Sequence, residues 1–428
     1  MTSDRFGNEY APGLPYARGN LIRTTEDDLT KLRAAWNTIK GHVANNGVES
    51  VLNFSGLERS AQFQPEDLGL LDDELAPALY GDRLNSLCLE HLGGHPDQHS
   101  VFISNRLTAG LLVSILTMVE PGDTVIGVSA SYSHPANVRA VTRAQATLID
   151  TVGLNGFRNA LKKHPTPSLV ILTRLAVSYE ILSTSELEQI VELAKSAGAR
   201  ILVDDAGGAR VGPAVFDQPR TLELDVDIAA TGLDKYGTIG PRLGVLAGNQ
   251  QLIDRIRSNA FEMGIEARPM LYPAVVRSLE QYDPARVRKL VATTKNVGNE
   301  LKKILGNRVT ETPVIIQLMG EDVLEIAMER ADIKECPVMP IEATAALAML
   351  LLRDYSIITV HLAGIPPGTA ALMIKFVPPE TLDKFGGAEK LAHAINGSLD
   401  ELSTVIANPE VMRELVLGAP AVVDVTKS

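Results

Sequence analysis

The sequence predicts an α/β fold: a seven-stranded, mostly parallel sheet in a three-layer large domain, followed by a smaller α+β C-terminal domain. Three observations predict it. Short apolar runs alternate with amphipathic segments from about residue 83 to about 262. Those runs are continuous rather than alternating, as in strands covered on both faces. The 428 residues are 45% hydrophobic and 21% charged. That ordinary globular mix excludes disorder and collagen-like fibres, and the length allows two or three domains.

Taken in chain order, a Gly- and Pro-rich arm precedes a first helix. Thr24 or Thr25, followed by Glu26, Asp27 and Asp28, marks its start, because acidic side chains suit a first turn. The stretch to about residue 82 reads as loop-rich. Strands are expected near 100–103, 124–128, 146–149, 169–173, 201–204, 228–231 and 243–247, with helices near 108–119, 135–142, 155–163 and 185–197. Segment 263–283 breaks the rhythm, and 284–305 reads as one long helix. The expected division is therefore an arm with loop-rich segment (1–82), a large domain (83–262), a linker and long helix (263–305) and a small domain (306–428). In the last, strands are expected near 314–318, 323–327, 357–362 and 372–376, and helices near 343–353, 380–384 and 388–405.

Charge and cysteine content narrow the function. The net charge of −12 repels phosphate backbones, and 4% aromatic residues leave few platforms for stacking bases, so nucleic acid is a poor partner. Two cysteines, Cys88 and Cys336, are too few for a disulfide framework and suit a reducing, cytoplasmic setting. The polar N-terminus reads as no signal peptide, and the longest apolar stretches are about half of the ~20 residues a membrane span needs. There is no Gly-Lys dipeptide for a Walker A loop, no HExxH helix and no GxGxxG turn. Cys88, His91, His95 and His99 invite a metal reading, but Gly93, Gly94 and Pro96 interrupt any helix that would align them, and no metal site is expected.

In a sheet of this kind, ligands sit beyond the carboxyl ends of the strands. Four stations lie there. Lys235, in TGLDKYGTIGPRLGVLAG, follows a strand among small residues, where a carbonyl cofactor can form a Schiff base with a lysine. Asp204, in ILVDDAGGAR, ends another strand and would need a cationic partner if buried. Asn105, Arg106 and Thr108 open a helix, whose free N–H groups and dipole attract phosphate. Tyr132 and His134 lie beyond a fourth strand, where a flat side chain can stack on a ring.

LGG (92–94), SNRLTAG (104–110), VDDAGG (203–208) and DKYGTIGPRLGVLAG (234–248) together resemble the fold-type I pyridoxal phosphate enzymes, the aspartate aminotransferase superfamily. More narrowly they resemble the selenocysteine synthase (seryl-tRNA selenium transferase)-like group and its archaeal homologues. The resemblance covers about residues 85–262. It implies pyridoxal 5′-phosphate as cofactor, Lys235 as its Schiff-base lysine, Asp204 on the pyridine nitrogen and His134 stacked on the ring. It implies a phosphate site of Asn105, Arg106, Thr108 and Thr231, with Thr238 reaching the phosphate of a neighbouring subunit in a homodimer or larger homo-oligomer. Where many relatives place His or Gln three residues after the Asp, this chain has Gly207. For the substrate carboxylate, relatives use an arginine on a late small-domain strand. Here Lys375 stands at that place, and Arg174, Arg210 and Arg268 are further candidates. The implied chemistry is a Schiff base with a small amino acid-type substrate, deprotonation at Cα, then β-elimination or β-replacement. Transamination, aldol cleavage and a non-catalytic binding or regulatory protein are the alternatives. The acidic balance argues against tRNA-bound serine.

Overall fold

The computed structural model describes residues 3–418. They divide into two compact units: Leu57–Lys289, and a second made of residues up to Gly56 together with those from Leu290 onward. The boundaries expected at 83, 263 and 306 do not coincide with this division, because residues before 57 pack with those after 289.

The Leu57–Lys289 unit is built on seven strands: β1 (His99–Ser104), β2 (Thr124–Ser129), β3 (Thr147–Val152), β4 (Leu169–Leu172), β5 (Arg200–Asp204), β6 (Ile228–Gly232) and β7 (Gly244–Asn249). Their order is β1-β7-β6-β5-β4-β2-β3. Neighbours are parallel except β7, which is antiparallel to both β1 and β6. Alternate residues of β4 enter opposite cores. Leu169 and Ile171 pack with Leu111, Ala140 and Ile253 of helices on one face. Val170 and Leu172 pack with Phe157, Leu187 and Val275 on the other. All four are fully buried, which explains the continuous apolar run.

Register places the site. β7 runs backward, so Gly244 pairs with Ser104 on one side and Gly232 on the other. The ends of β1 and β6 and the start of β7 therefore share one edge of the sheet. Side chains are excluded where β7 returns past β6: a Cβ on Gly248 would sit 2.0 Å from the Asp227 carbonyl oxygen. Gly248→Ala should cost about 1–3 kcal/mol by overpacking, read as a lowered urea midpoint at unchanged slope.

The second unit holds a three-stranded antiparallel sheet of Val309–Glu311, Ile315–Met319 and Ala371–Lys375, with Ile315–Met319 central. Helices Gly320–Arg330, Pro340–Tyr355 and Ala388–Val405 form its main core. The opening helix, Thr25–Asn46, starts as its sequence implies, with Thr24 accepting from the Glu26 N–H and Asp27 accepting from the Thr24 N–H. Buried Glu342 fastens the arm ahead of it, accepting from the N–H groups of Leu21 (2.5 Å) and Ile22 (2.9 Å).

Four sequence expectations need correction. Residues 323–327 lie in helix Gly320–Arg330, since a short apolar run does not by itself separate strand from buried helix. The strand expected at 357–362 is two residues long, Ile357–Ile358, followed by the helical turn Val360–Ala363. The loop-rich stretch before 82 already contains the start of helix Leu75–Leu92, which Gly93 ends in the left-handed conformation. Helix Gly208–Phe216 was hidden by its own Gly208, Gly212 and Pro213. No helix among the described residues is long and apolar enough to cross a membrane.

Candidate active site

Lys235 stands in the 233–243 loop between β6 and β7. Its amine folds back over the end of β6, so a Cβ on Gly232 would lie 2.7 Å from Nζ. The turn that projects it uses two left-handed residues, Tyr236 (φ 48°) and Gly237 (φ 100°). Thr238 closes that turn, its hydroxyl donating to the Lys235 carbonyl (2.8 Å) and accepting from the Lys235 N–H (3.2 Å). The Lys235 ammonium is held below its ordinary range. Burial is the largest cause, opposed by Asp234 at 3.7 Å, while Arg210 and Arg242 add repulsion and Asp204 opposes. A lowered pKa enlarges the free-amine fraction, the form that attacks a carbonyl or takes a proton.

Asp204 ends β5 and is 2% exposed. Asn137, on helix Pro135–Arg143, donates to its Oδ2 at 2.7 Å. Its Oδ1 is buried without a hydrogen-bond partner. Burial raises the Asp204 pKa, with Asn137, Lys235 and the Ala206 N–H working against the shift. An orphaned, desolvated carboxylate oxygen is suited to a protonated ring nitrogen.

The phosphate station is open. Arg106 is the N-cap residue of helix Leu107–Met118, no side chain caps that end, and Asn105, Arg106 and Thr108 are exposed. Buried Ser104 fixes the approach by donating to the Arg106 carbonyl (2.9 Å). His134 is half-buried and caps its own helix, its Nδ1 accepting from the Ala136 N–H at 3.0 Å. These features fit a phosphorylated pyridine aldehyde: a desolvated amine, an unpaired buried carboxylate oxygen and an uncapped helix end bearing a guanidinium.

Other expected residues have different tasks. Thr231 is buried within the fold, accepting from Arg210 (2.9 Å) and donating to the Asp205 carbonyl (2.9 Å), so its hydroxyl is not offered to a phosphate. Thr238 is fully buried, and its hydroxyl is bonded to the Lys235 carbonyl within its own turn. Arg174 is fully buried against Asp205 (3.0 Å) and the Pro219 carbonyl (2.6 Å), which removes it from the substrate candidates. Arg210 is also fully buried, tying the carbonyls of Ala206 (3.0 Å) and Gly232 (2.7 Å) to His91 (3.1 Å). It is a strut across the ends of β5 and β6. Arg268 pairs with the exposed Asp73 at 3.0 Å. Lys375 belongs to the second unit, buried with its stem against Gly56. Among the described residues, no group of three or more His, Cys, Asp or Glu is placed to hold a metal. His91 is instead half-buried and edge-on to Tyr282, with desolvation and then Arg210 and Arg220 pushing its pKa down to about 3.

Sequence reasoning missed several residues here. Asn137 bore no signal linking it to Asp204, 67 residues away. Tyr179 and Tyr236 bring their hydroxyls within 2.5 Å in the buried interior. The Tyr236 ring occupies the space beside Gly207, where a Cβ would lie 2.2 Å from Cε2. Glycine at 207 is thus the complement of tyrosine at 236. Arg59 and Arg242 flank Asp234, at 3.0 and 4.0 Å.

Compared with known proteins, the chain is 29% identical over 404 residues to a UPF0425 pyridoxal phosphate-dependent protein of Methanothermobacter thermautotrophicus, covering 93% of this chain and all of that one. No family model matches the chain. Among solved structures, it resembles alanine–glyoxylate aminotransferase from Nostoc sp., with a TM-score of 0.58 and 18% identity over 82% of this chain and 95% of that one. It also resembles the serine palmitoyltransferase of Sphingomonas wittichii, with a TM-score of 0.59 and 18% identity over 83% of this chain and 88% of that one. The chain is a homologue of the UPF0425 pyridoxal phosphate-dependent proteins and has the architecture of the fold-type I pyridoxal phosphate enzymes.

Proposed function

We propose that this chain is an enzyme that binds pyridoxal 5′-phosphate through Lys235 and Asp204 and removes a proton from Cα of a small amino acid-type substrate. The observation that carries the reading is the pairing of a desolvated lysine amine with a buried carboxylate whose Oδ1 has no partner, on adjacent strand ends. When bound, the cofactor supplies an electron sink that acidifies Cα–H of an attached amine. Asp204 would hold the ring nitrogen. The open end of helix Leu107–Met118, with Asn105, Arg106 and Thr108, would hold the phosphate, and His134 would stack on the ring. Lys235 would attach the cofactor and then, as a free amine, take the proton from Cα. That proton transfer is common to β-elimination, β-replacement and transamination. We favour β-elimination or β-replacement, on the motifs of the 234–248 segment, in a cytoplasmic homodimer or larger homo-oligomer.

The test is visible absorption of the purified protein titrated with pyridoxal phosphate. Wild type should develop the band of a lysine Schiff base, and Lys235→Ala should not. A band that never forms, or that persists unchanged in Lys235→Ala, would overturn the reading. With candidate amino acids, keto acid released together with ammonia indicates elimination. Keto acid that requires an added amino acceptor indicates transamination.

A further inference from the structure

Two tyrosine hydroxyls meet inside the carboxyl edge of the seven-stranded sheet. Tyr179, in the segment between β4 and helix Thr184–Ser196, and Tyr236, next to Lys235, bring their oxygens to 2.5 Å. Their rings cross at 63° with centroids 6.2 Å apart, and the residues are 7% and 4% exposed. Burial is the first cause that raises both phenol pKa values, so both hydroxyls keep their protons and one donates to the other. Each residue also sits in the left-handed backbone region, Tyr179 at φ 66° and Tyr236 at φ 48°. Bulky side chains seldom adopt that conformation, and strain of this kind concentrates at functional sites.

The pair belongs to a line of contacts that follows the strand order. β6, β5, β4 and β2 are consecutive parallel neighbours. Lys235 and Tyr236 come after β6. While the Lys235 amine folds back over Gly232, the Tyr236 ring crosses to Gly207, three residues past Asp204 at the end of β5. Its hydroxyl then meets Tyr179, which follows β4. Beside Tyr179, Ser178 Oγ donates to Ser131 Oγ at 2.8 Å, in the segment that leads from β2 to His134. The turn bearing Tyr179 is fixed in its own backbone, the Ala176 N–H donating to the Glu180 carbonyl and the Tyr179 N–H to the Ala176 carbonyl, both at 2.9 Å. Phenylalanine at both tyrosine positions would fill nearly the same space without two buried hydroxyls, and a double replacement of that kind is close to neutral for stability. Packing alone therefore does not require the hydroxyls. What they add is direction, since a hydrogen bond fixes one ring against the other more narrowly than apolar contact does.

We propose that Tyr179 and Tyr236 are positioning residues whose mutual hydrogen bond braces the ends of β4, β5 and β6 and fixes where the Lys235 amine stands relative to Asp204. The inference rests on the function proposed above and adds to it two residues that act through Lys235. A lysine stem is flexible, and Thr238 closes only the turn beneath it. The Tyr236 ring, tied to the segments after β5 and β4, holds that turn against the sheet. Without the tie the amine loses part of the burial that lowers its pKa, together with its alignment for attack on a carbonyl.

The experiment compares wild type with Tyr179→Phe, Tyr236→Phe and the double variant, all of which keep both rings. Urea midpoints of cofactor-free protein report the fold. In the same cofactor-free protein, labelling of Lys235 by formaldehyde and cyanoborohydride, followed across pH by peptide mass spectrometry, reports the amine. The rate at which the visible band forms with pyridoxal phosphate reports its alignment. Each single variant should lower the urea midpoint, since it strips a buried hydroxyl of this bond, and the double variant should recover most of the loss. The brace is absent from all three, so all three should form the band about tenfold to a hundredfold more slowly. Their labelling midpoints should move to higher pH. The proposal is overturned if the double variant regains wild-type band formation and labelling together with its stability. It is also overturned if the single variants keep both while losing stability, since the pair would then serve the fold alone. A wild type that forms no band counts against the cofactor reading. The labelling midpoint then decides the brace by itself, an upward shift in all three variants supporting it and an unchanged midpoint overturning it.

Discussion

Replacing Arg174 with methionine should destabilise the protein by about 3–5 kcal/mol, because it leaves the fully buried Asp205 without its cation. Total stabilities are commonly about 5–15 kcal/mol, so the loss is a large fraction of the whole. Burial already raises the Asp205 pKa, against the pull of Arg174, the Thr221 hydroxyl at 2.6 Å and Arg210, with Asp204 reinforcing the rise. Without Arg174 the folded state would hold the Asp205 proton to still higher pH, while the unfolded chain releases it at the ordinary value. Over that interval the folded state binds more protons, so stability falls as pH rises. Urea unfolding at pH 5 and pH 8 should show the larger deficit at pH 8. Arg174→Met combined with Asp205→Leu should recover much of the loss, since it removes both buried charges. Equal deficits at the two pH values, or additive losses in the double variant, would place the effect in packing instead.

Asp204→Ala should lower affinity for pyridoxal phosphate by about two to three orders of magnitude, the scale expected when one partner of a buried charged pair is removed. Asp204→Asn separates this effect from simple damage to the fold. In cofactor-free protein the Asp204 pKa is raised, so the folded state keeps a proton that the unfolded chain has released. Stability therefore declines as pH rises from the ordinary carboxylate range through the raised value. Asparagine does not ionise there. The cofactor-free Asn variant should thus be more stable than wild type at neutral pH, by about 1–3 kcal/mol, yet bind cofactor far more weakly. Urea midpoints without cofactor and absorbance titrations with it measure the two sides. A variant that loses stability and affinity together would contradict this account.

The parts legible in the sequence were those with local signatures. All seven strands of the large sheet appear where continuous apolar runs placed them, and Asp204 and Lys235 stand at or just beyond strand ends. Helix Pro284–Leu305 has the bounds its pattern implied. What escaped was set by long-range geometry. Arg59 meets Asp234 across 175 residues, and no spacing rule joins them. Arg174 and Arg210 follow strands as a substrate-binding arginine would, and only their enclosure shows them to be struts. Thr231 and Thr238 illustrate the same limit, since a hydroxyl near a site is as well suited to bonding the backbone beside it.

The two-part makeup of the second unit bears on how the molecule comes together. Leu57–Lys289 is continuous in the chain, so every contact of its sheet is available once that stretch has left the ribosome. The other unit needs partners from both sides of it: Glu342 grips the N–H groups of Leu21 and Ile22 across more than 300 residues, and Arg5 meets Asp322. Residues ahead of the large sheet therefore wait through its synthesis before their partners exist. Chains also close contacts of long sequence separation slowly. During that interval an apolar stretch such as Leu21–Ile22 is without its native cover.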